Sequence, residues 1–148
     1  MDKLAIQAAE DFAHAGYPRE AAAILIAELD GPEVQVLIEL EKLKSVFEVC
    51  GATNIRVAGN ETERALFWKG RKSAFPAVGR LSPDYYCMDG TIPKKNLPAV
   101  LEGIARLSEK YGLAVANVVE RFANNHGAVC RQTGRNRQPE PFNVSWVE

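Results

Sequence analysis

Amphipathic helical stripes alternate with short β-branched apolar runs along this chain, and glycine or proline stands at nearly every junction. That order confines the fold to helices packed on a sheet, because each stripe and each run has one apolar surface to hide and its neighbour is the nearest cover. Leu4, Ala8 and Phe12 mark a leading helix over Asp2 to Ala15, closed by Gly16 and Pro18. Residues Ala22 to Asp30 read as a mostly buried strand that ends at the turn Asp30-Gly31-Pro32. Pro32 then opens a helix whose stripe is Val36, Leu40, Leu43, Phe47 and Cys50, with Gly51 as a left-handed cap. Asn54 to Ala58 is a second short strand.

Asn60 and Glu63 have capping-box spacing and start a third helix that carries Phe67, Arg71, Ala74 and Val78. It is interrupted near Pro76 and ends by Gly79. A third strand, Tyr85 to Met88, ends at Asp89-Gly90. The fourth helix begins at Pro98, carries Val100, Leu101, Ile104, Leu107 and Tyr111, and terminates at Gly112. Leu113 to Val119 is a fourth strand, apolar on both faces. The expected fold is α+β: a ferredoxin-like antiparallel sheet with helices on one face, a leading helix and an irregular C-terminal tail. A doubly wound parallel sheet is the alternative, weakened by the lack of any Gly-rich strand-to-helix turn. Residues 1–119 form the domain, and 120–148, which lack periodicity, form a divergent tail.

Charge and composition narrow the function classes. Lys plus Arg number 18 against 19 Asp plus Glu, so no overall basic field exists to hold a nucleic-acid backbone. The small cluster Arg131, Arg135 and Arg137 reads as a solvated tail. The longest apolar run, Ala21 to Ala27, is far short of the roughly 20 residues of a membrane span. The start has neither a basic nor an apolar signal region, which points to a cytoplasmic protein. The cysteines, at 50, 87 and 130, form no Cys-x-x-Cys pair and read as reduced thiols, Cys50 and Cys87 as buried packing groups. His14 and His126 are isolated, so no metal cage is expected.

The segments HAGYP (14–18), LDG (29–31), FWKGRKSAFPAVGRLSPDYYCMDGTIP (67–93) and LEGIARLSEKYGLAVANV (101–118) resemble the C-terminal domain of FAD-linked oxidases of the glycolate oxidase flavin subunit and D-lactate dehydrogenase type. The resemblance covers residues 1 to about 118. It implies a substrate domain with a ferredoxin-like sheet beside a separate flavin-binding domain. A small 2-hydroxy acid would pass a hydride to FAD and leave as a 2-oxo acid. Arg71 matches the family arginine that holds the substrate carboxylate, and a guanidinium fork suits both carboxylate oxygens. Read from the residues alone, Arg71 is an inward-pointing arginine saturated by a local carboxylate or backbone carbonyls. Lys72 and Arg80 read as exposed surface charges, and Cys87 falls where related dehydrogenases carry a lysine.

Two departures shape the expectation. The family continues after the last strand with a His-Ala-Gly-Asp-Gly-Asn-x-His segment, whereas this chain reads Val119 to His126 without it. The role of those histidines is not carried to His126, and Glu120 reads as a solvated residue, so no catalytic residue is assigned. A missing base alone forfeits about 10²–10⁴ in rate. The chain also starts at what looks like an internal methionine of the family sequence, with no flavin domain. The resulting expectation is a fragment of a flavin-dependent hydroxy-acid oxidoreductase, inactive alone, which works with a separate flavin-binding chain or self-associates. The alternative is a stand-alone small-ligand-binding or assembly module without catalysis.

Overall fold

The computed structural model describes residues 1–82 and 84–120 and the backbone of a strand at 127–133. Helix α1 (Lys3–Ala13) is the centre of the core. The side chain of Asp2 caps it by accepting a hydrogen bond from the Ala5 amide at 3.0 Å. Its buried face is Ala5, Ile6, Ala8, Ala9 and Ala13. Small residues let other backbones come close, and α1 packs mainly on α4 (Ala74–Leu81) through Ala74, Ala77 and Val78. It also touches α3 (Glu61–Lys72).

Helix α2 (Glu33–Val49) follows Pro32 as expected and ends before Gly51, which has φ +82°. Its stripe residues Val36, Leu40, Leu43 and Phe47 are only half-buried, and no residue of α2 is fully buried. Asn60 caps α3 by accepting from the Glu63 amide at 2.9 Å. The expected interruption near Pro76 instead falls at Ser73, and α4 runs past Gly79 to Leu81. The break comes early because proline has no amide hydrogen. Placed third in α4, Pro76 lacks a group that the first turn would leave unbonded anyway. Helix α5 (Leu97–Tyr111) follows a short 3-10 turn at Lys94–Asn96 and closes on Gly112 at φ +64°.

Strands β1 (Cys87–Pro93), β2 (Val118–Glu120) and β3 (Gly127–Thr133) form one antiparallel sheet in the order β1-β3-β2, with Gly90 opposite Cys130 and Val119 opposite Cys130 on the other side. The fold of the described residues is therefore helix-rich α+β, and a ferredoxin-like sheet is not formed among them. Four strand expectations are corrected, and in one of them, Leu113 to Val119, only Val118 and Val119 fall in a strand, β2. Asp89-Gly90 does not end β1, because pairing with β3 carries the ladder through to Pro93. Residues 54–58 lie outside regular structure; Arg56 donates instead to the Gly16 carbonyl at 2.9 Å and to Glu63 at 3.0 Å. Residues 22–30 are not a strand either: their β pairing among the described residues is one isolated bridge, Ala23 with Asp2, the N-cap of α1 and no part of the sheet. A β-prone sequence becomes a strand only where a second backbone runs alongside to take its amides and carbonyls. The expected burial of Cys50 and Cys87 is also overturned: both are exposed, Cys50 after a helix without full cover and Cys87 at the start of β1. His126 and the rest of the tail, apart from 127–133, lie outside the described residues.

Candidate functional site

Arg71 stands in the last turn of α3, one residue after Gly70. What fixes it there is the segment that leaves α1. Ala15 and Tyr17 are buried, and they lie so close to α3 that a Cβ on Gly70 would sit 2.6 Å from Ala15 Cβ and 2.6 Å from the Tyr17 ring. Only a glycine admits that approach. The Tyr17 hydroxyl donates to the Phe67 carbonyl of α3. The Tyr17 amide in turn donates to Glu10 at 2.9 Å. Burial pushes the Tyr17 phenol well above its ordinary pKa, so it stays a neutral donor.

The Arg71 side chain is half-buried, and its Nη2 is shielded from solvent. Its guanidinium carbon lies 5.4 Å from the centre of the Trp68 ring, within cation–π range. Both side chains line a cavity of about 390 Å³, together with Leu97 and Leu101 of α5 and the stretches 23–26 and 117–119. Met1 and Asp2 also line it. Burial lowers the pKa of the Met1 amine; Asp2 opposes this, and the charge of Arg71 adds to it, so the field of Arg71 reaches Met1. Burial also raises the Asp2 carboxyl, against hydrogen bonds from Ala5 and from the Asn117 amide and side chain at 2.7 and 2.8 Å. Asp2 is thus committed to holding α1 against the segment before β2.

The structure brings Arg71 to a cavity and leaves the other sequence candidates elsewhere. Lys72 is exposed and lines a second, open groove of about 530 Å³ with Lys69, Glu28 and Arg64. Arg80 is exposed and stacks 4.4 Å over the Phe12 ring. Gly70 and Tyr17, which seat Arg71, were not singled out by the sequence reading. A glycine inside a helix with no turn to explain it was the available signal. Among the described residues no cluster of His, Cys, Asp or Glu has the makings of a metal site. Chemically, the cavity offers a cation, an aromatic face and apolar walls. That set binds a small anion with an apolar flank.

The sequence profile described as FAD linked oxidases, C-terminal domain, matches residues 1–136. The chain belongs to that family. The family is one of FAD-linked oxidases, so membership implies FAD as the cofactor. The chain is 63% identical over 118 residues to the glycolate oxidase subunit GlcD of Escherichia coli, covering 80% of this chain and 24% of the relative. It is 27% identical over 137 residues to the GlcD subunit of Bacillus subtilis, covering 93% of this chain and 29% of the relative. The chain thus spans about a quarter of the length of these curated relatives. No solved structure matches it. The described residues do not fit FAD as a whole. The Arg71 cavity, at about 390 Å³, is at the small end for a drug-sized ligand, and the chain has no Gly-rich strand-to-helix turn to cradle a pyrophosphate.

Proposed function

We propose that this chain is the substrate-holding part of a flavin-dependent 2-hydroxy-acid oxidoreductase, acting on glycolate or D-lactate. Arg71 is the carboxylate anchor. The observation that carries this reading is the placement of Arg71: half-buried, backed by Trp68, and lining a cavity that is otherwise largely apolar. A guanidinium there pairs with both oxygens of a carboxylate, and the low-polarity walls strengthen the pair. The family match and the names of the relatives supply the substrate class. When FAD is bound, it accepts the hydride.

This chain's own part is binding and orientation. The flavin comes from a separate flavin-binding chain or domain, and the chain alone is inactive. The substrate domain proper is 1–119, and 120–148 diverge in sequence while residues 127–133 still pair with β1 and β2. In the assembled enzyme the sheet is completed to the ferredoxin-like form. The reading includes a cytoplasmic location; among the described residues, no helix is long and apolar enough to cross a membrane.

Calorimetry with glycolate and D-lactate tests it. Saturable heat is expected from the chain, weakened about tenfold or more in Arg71→Ala and partly in Arg71→Lys, whose point charge lacks the fork. Binding that survives Arg71→Ala unchanged overturns the anchor. A stand-alone ligand-binding module is the second reading. It predicts the same heats without any rise in turnover when a flavin-binding chain is added.

A further inference from the structure

Gly70 turns one side of α3 onto Ala15 and Tyr17. At about 100° per residue, the opposite side carries Arg64, Ala65, Trp68 and Lys72, with Lys69 on its flank. That side lines the open groove of about 530 Å³, which continues over Ser73 and Pro76 at the start of α4 and has Glu28 in its wall. The two ends of the groove differ in charge. Arg64 donates to Glu61 at 2.6 and 2.7 Å and also to Glu28, so its charge is matched twice. Lys69 and Lys72, in the last turn of α3, form no ion pair among the described residues.

Cations in the last turn of a helix complement its dipole, and that accounts for their sign. It does not account for the surface beside them. Trp68 is only half-buried, Ala65 and Pro76 extend its apolar area, and the Ser73 hydroxyl makes no capping bond. Two unmatched cations next to accessible apolar atoms suit a ligand that carries carboxylates beside an aromatic group. A small anion gains little here, because both lysines are exposed and a single exposed ion pair is weak. A nucleic-acid backbone needs more cations in line, and Glu28 and Glu61 stand at the other end of the same face. A polypeptide segment adds two ion pairs to the burial of a ring.

We propose that this groove docks an acidic segment of another polypeptide, an extended stretch with an aromatic residue followed by Glu-x-Glu. Residues three apart on a helix, as Lys69 and Lys72 are, have Cβ atoms about 5–6 Å apart. Alternate residues of an extended chain project to one side about 6.6 Å apart, a mismatch that two flexible lysine stems absorb. The two glutamates therefore meet the two lysines, the aromatic ring lies against Trp68 and Pro76, and the Ser73 hydroxyl supplies a further donor. Arg64 marks the end of the site, because a carboxylate set there would face Glu28 and Glu61. The docking site rests on Lys69 and Lys72, so it stands or falls apart from the carboxylate role of Arg71.

The probe is the labelled peptide Gly-Phe-Glu-Ser-Glu-Gly with both ends blocked, titrated into the full chain by fluorescence anisotropy. Saturable binding is expected, weakened about tenfold or more in Lys69→Gln with Lys72→Gln. The same loss is expected when the peptide's glutamates become glutamine or its phenylalanine becomes alanine. These peptide changes leave the protein untouched, so their outcome does not depend on how a variant folds. Lys94→Gln with Lys95→Gln removes an equally exposed pair from the 3-10 turn and should leave binding within about twofold. Binding should also shift tryptophan emission, and Trp68→Phe should abolish that shift although Trp146 remains. No saturable binding, equal weakening by the two lysine pairs, or full binding of the glutamine peptide overturns the docking site. Displacement by inorganic phosphate at the peptide's own concentration would make the groove a plain anion site, and overturns it as well.

Discussion

A Cβ built on Gly70 lies 2.6 Å from Tyr17 Cε2, so the chain leaving α1 rests directly on the backbone of α3. Ala15 is equally close, at 2.6 Å from the same point. Neither neighbour is the free end of a flexible side chain, because both are buried in the core. Gly70→Ala gains up to about 1 kcal/mol of helix propensity, yet overpacking here costs about 1–3 kcal/mol. Net destabilisation is expected in a thermal melt followed by circular dichroism. Ala15→Gly in the same chain relieves one of the two clashes and should recover part of the loss. A Gly70→Ala protein more stable than the parent would show that the approach relaxes freely.

Tyr17 provides a separate readout of the same joint. Its hydroxyl donates to the Phe67 carbonyl, and Tyr17→Phe removes that bond while keeping the ring. A loss of about 1 kcal/mol is expected. The pKa of the phenol is raised in the folded chain, chiefly by burial. A raised pKa means that the folded state holds its proton more tightly than the unfolded state. The stability it contributes is complete below the unfolded value of about 10 and declines as pH climbs above it. In a spectrophotometric titration at 295 nm, the Tyr17 phenol should therefore ionise only together with unfolding. Tyr17→Phe should remove that late step. If the late step remains in Tyr17→Phe, it belongs to another tyrosine.

The helices could be read from the sequence because their ends are decided locally. Asn60 needs only the amide three residues on, and Gly51 and Gly112 need only a left-handed backbone, so cap and helix agree without outside help. The strands depend on partners far along the chain. Residues 22–30 and 54–58 have the apolar pattern of strands but lack neighbours, whereas Asp89-Gly90 looks like a turn and is carried through by β3. The inward stripe of α3 pointed to Arg71, because helical period alone fixes which face it shares. Its seat was not visible, since Tyr17 and Gly70 meet across a long separation that no local pattern records. The exposure of Cys50 and Cys87 has the same origin: each adjoins an element that looks covered in sequence and is not covered in the fold.

The Asn60 cap offers a control placed at the far end of the helix that presents Arg71. Asn60→Ala removes the acceptor of the Glu63 amide and is expected to cost about 0.5–2 kcal/mol. Glu63 supports the same turn by accepting from the Gly59 amide at 2.9 Å and from Arg56. These bonds lie at the first turn and Arg71 in the last, so fraying at Asn60 should lower melting temperature while leaving glycolate affinity within about twofold. A large loss of affinity in Asn60→Ala would mean that Arg71 is positioned by the whole of α3, and not by its contact with Tyr17.

Helix α2 makes the strongest claim about assembly. Val34, Leu37, Ile38, Val46 and Val49 are all exposed, the last at 88%, on a helix with no fully buried residue. Apolar surface of that extent tends to associate. Each leucine or isoleucine covered completely is worth about 1.5–3 kcal/mol. Self-association at micromolar concentration is expected in sedimentation velocity. Leu37→Lys with Ile38→Lys should weaken it by about a hundredfold or more while keeping the helical signal, since lysine is a good helix former. Adding a flavin-binding partner should suppress it in the parent chain if the two compete for this face. A parent chain that sediments as a clean monomer across that range would take from α2 its place as an interface.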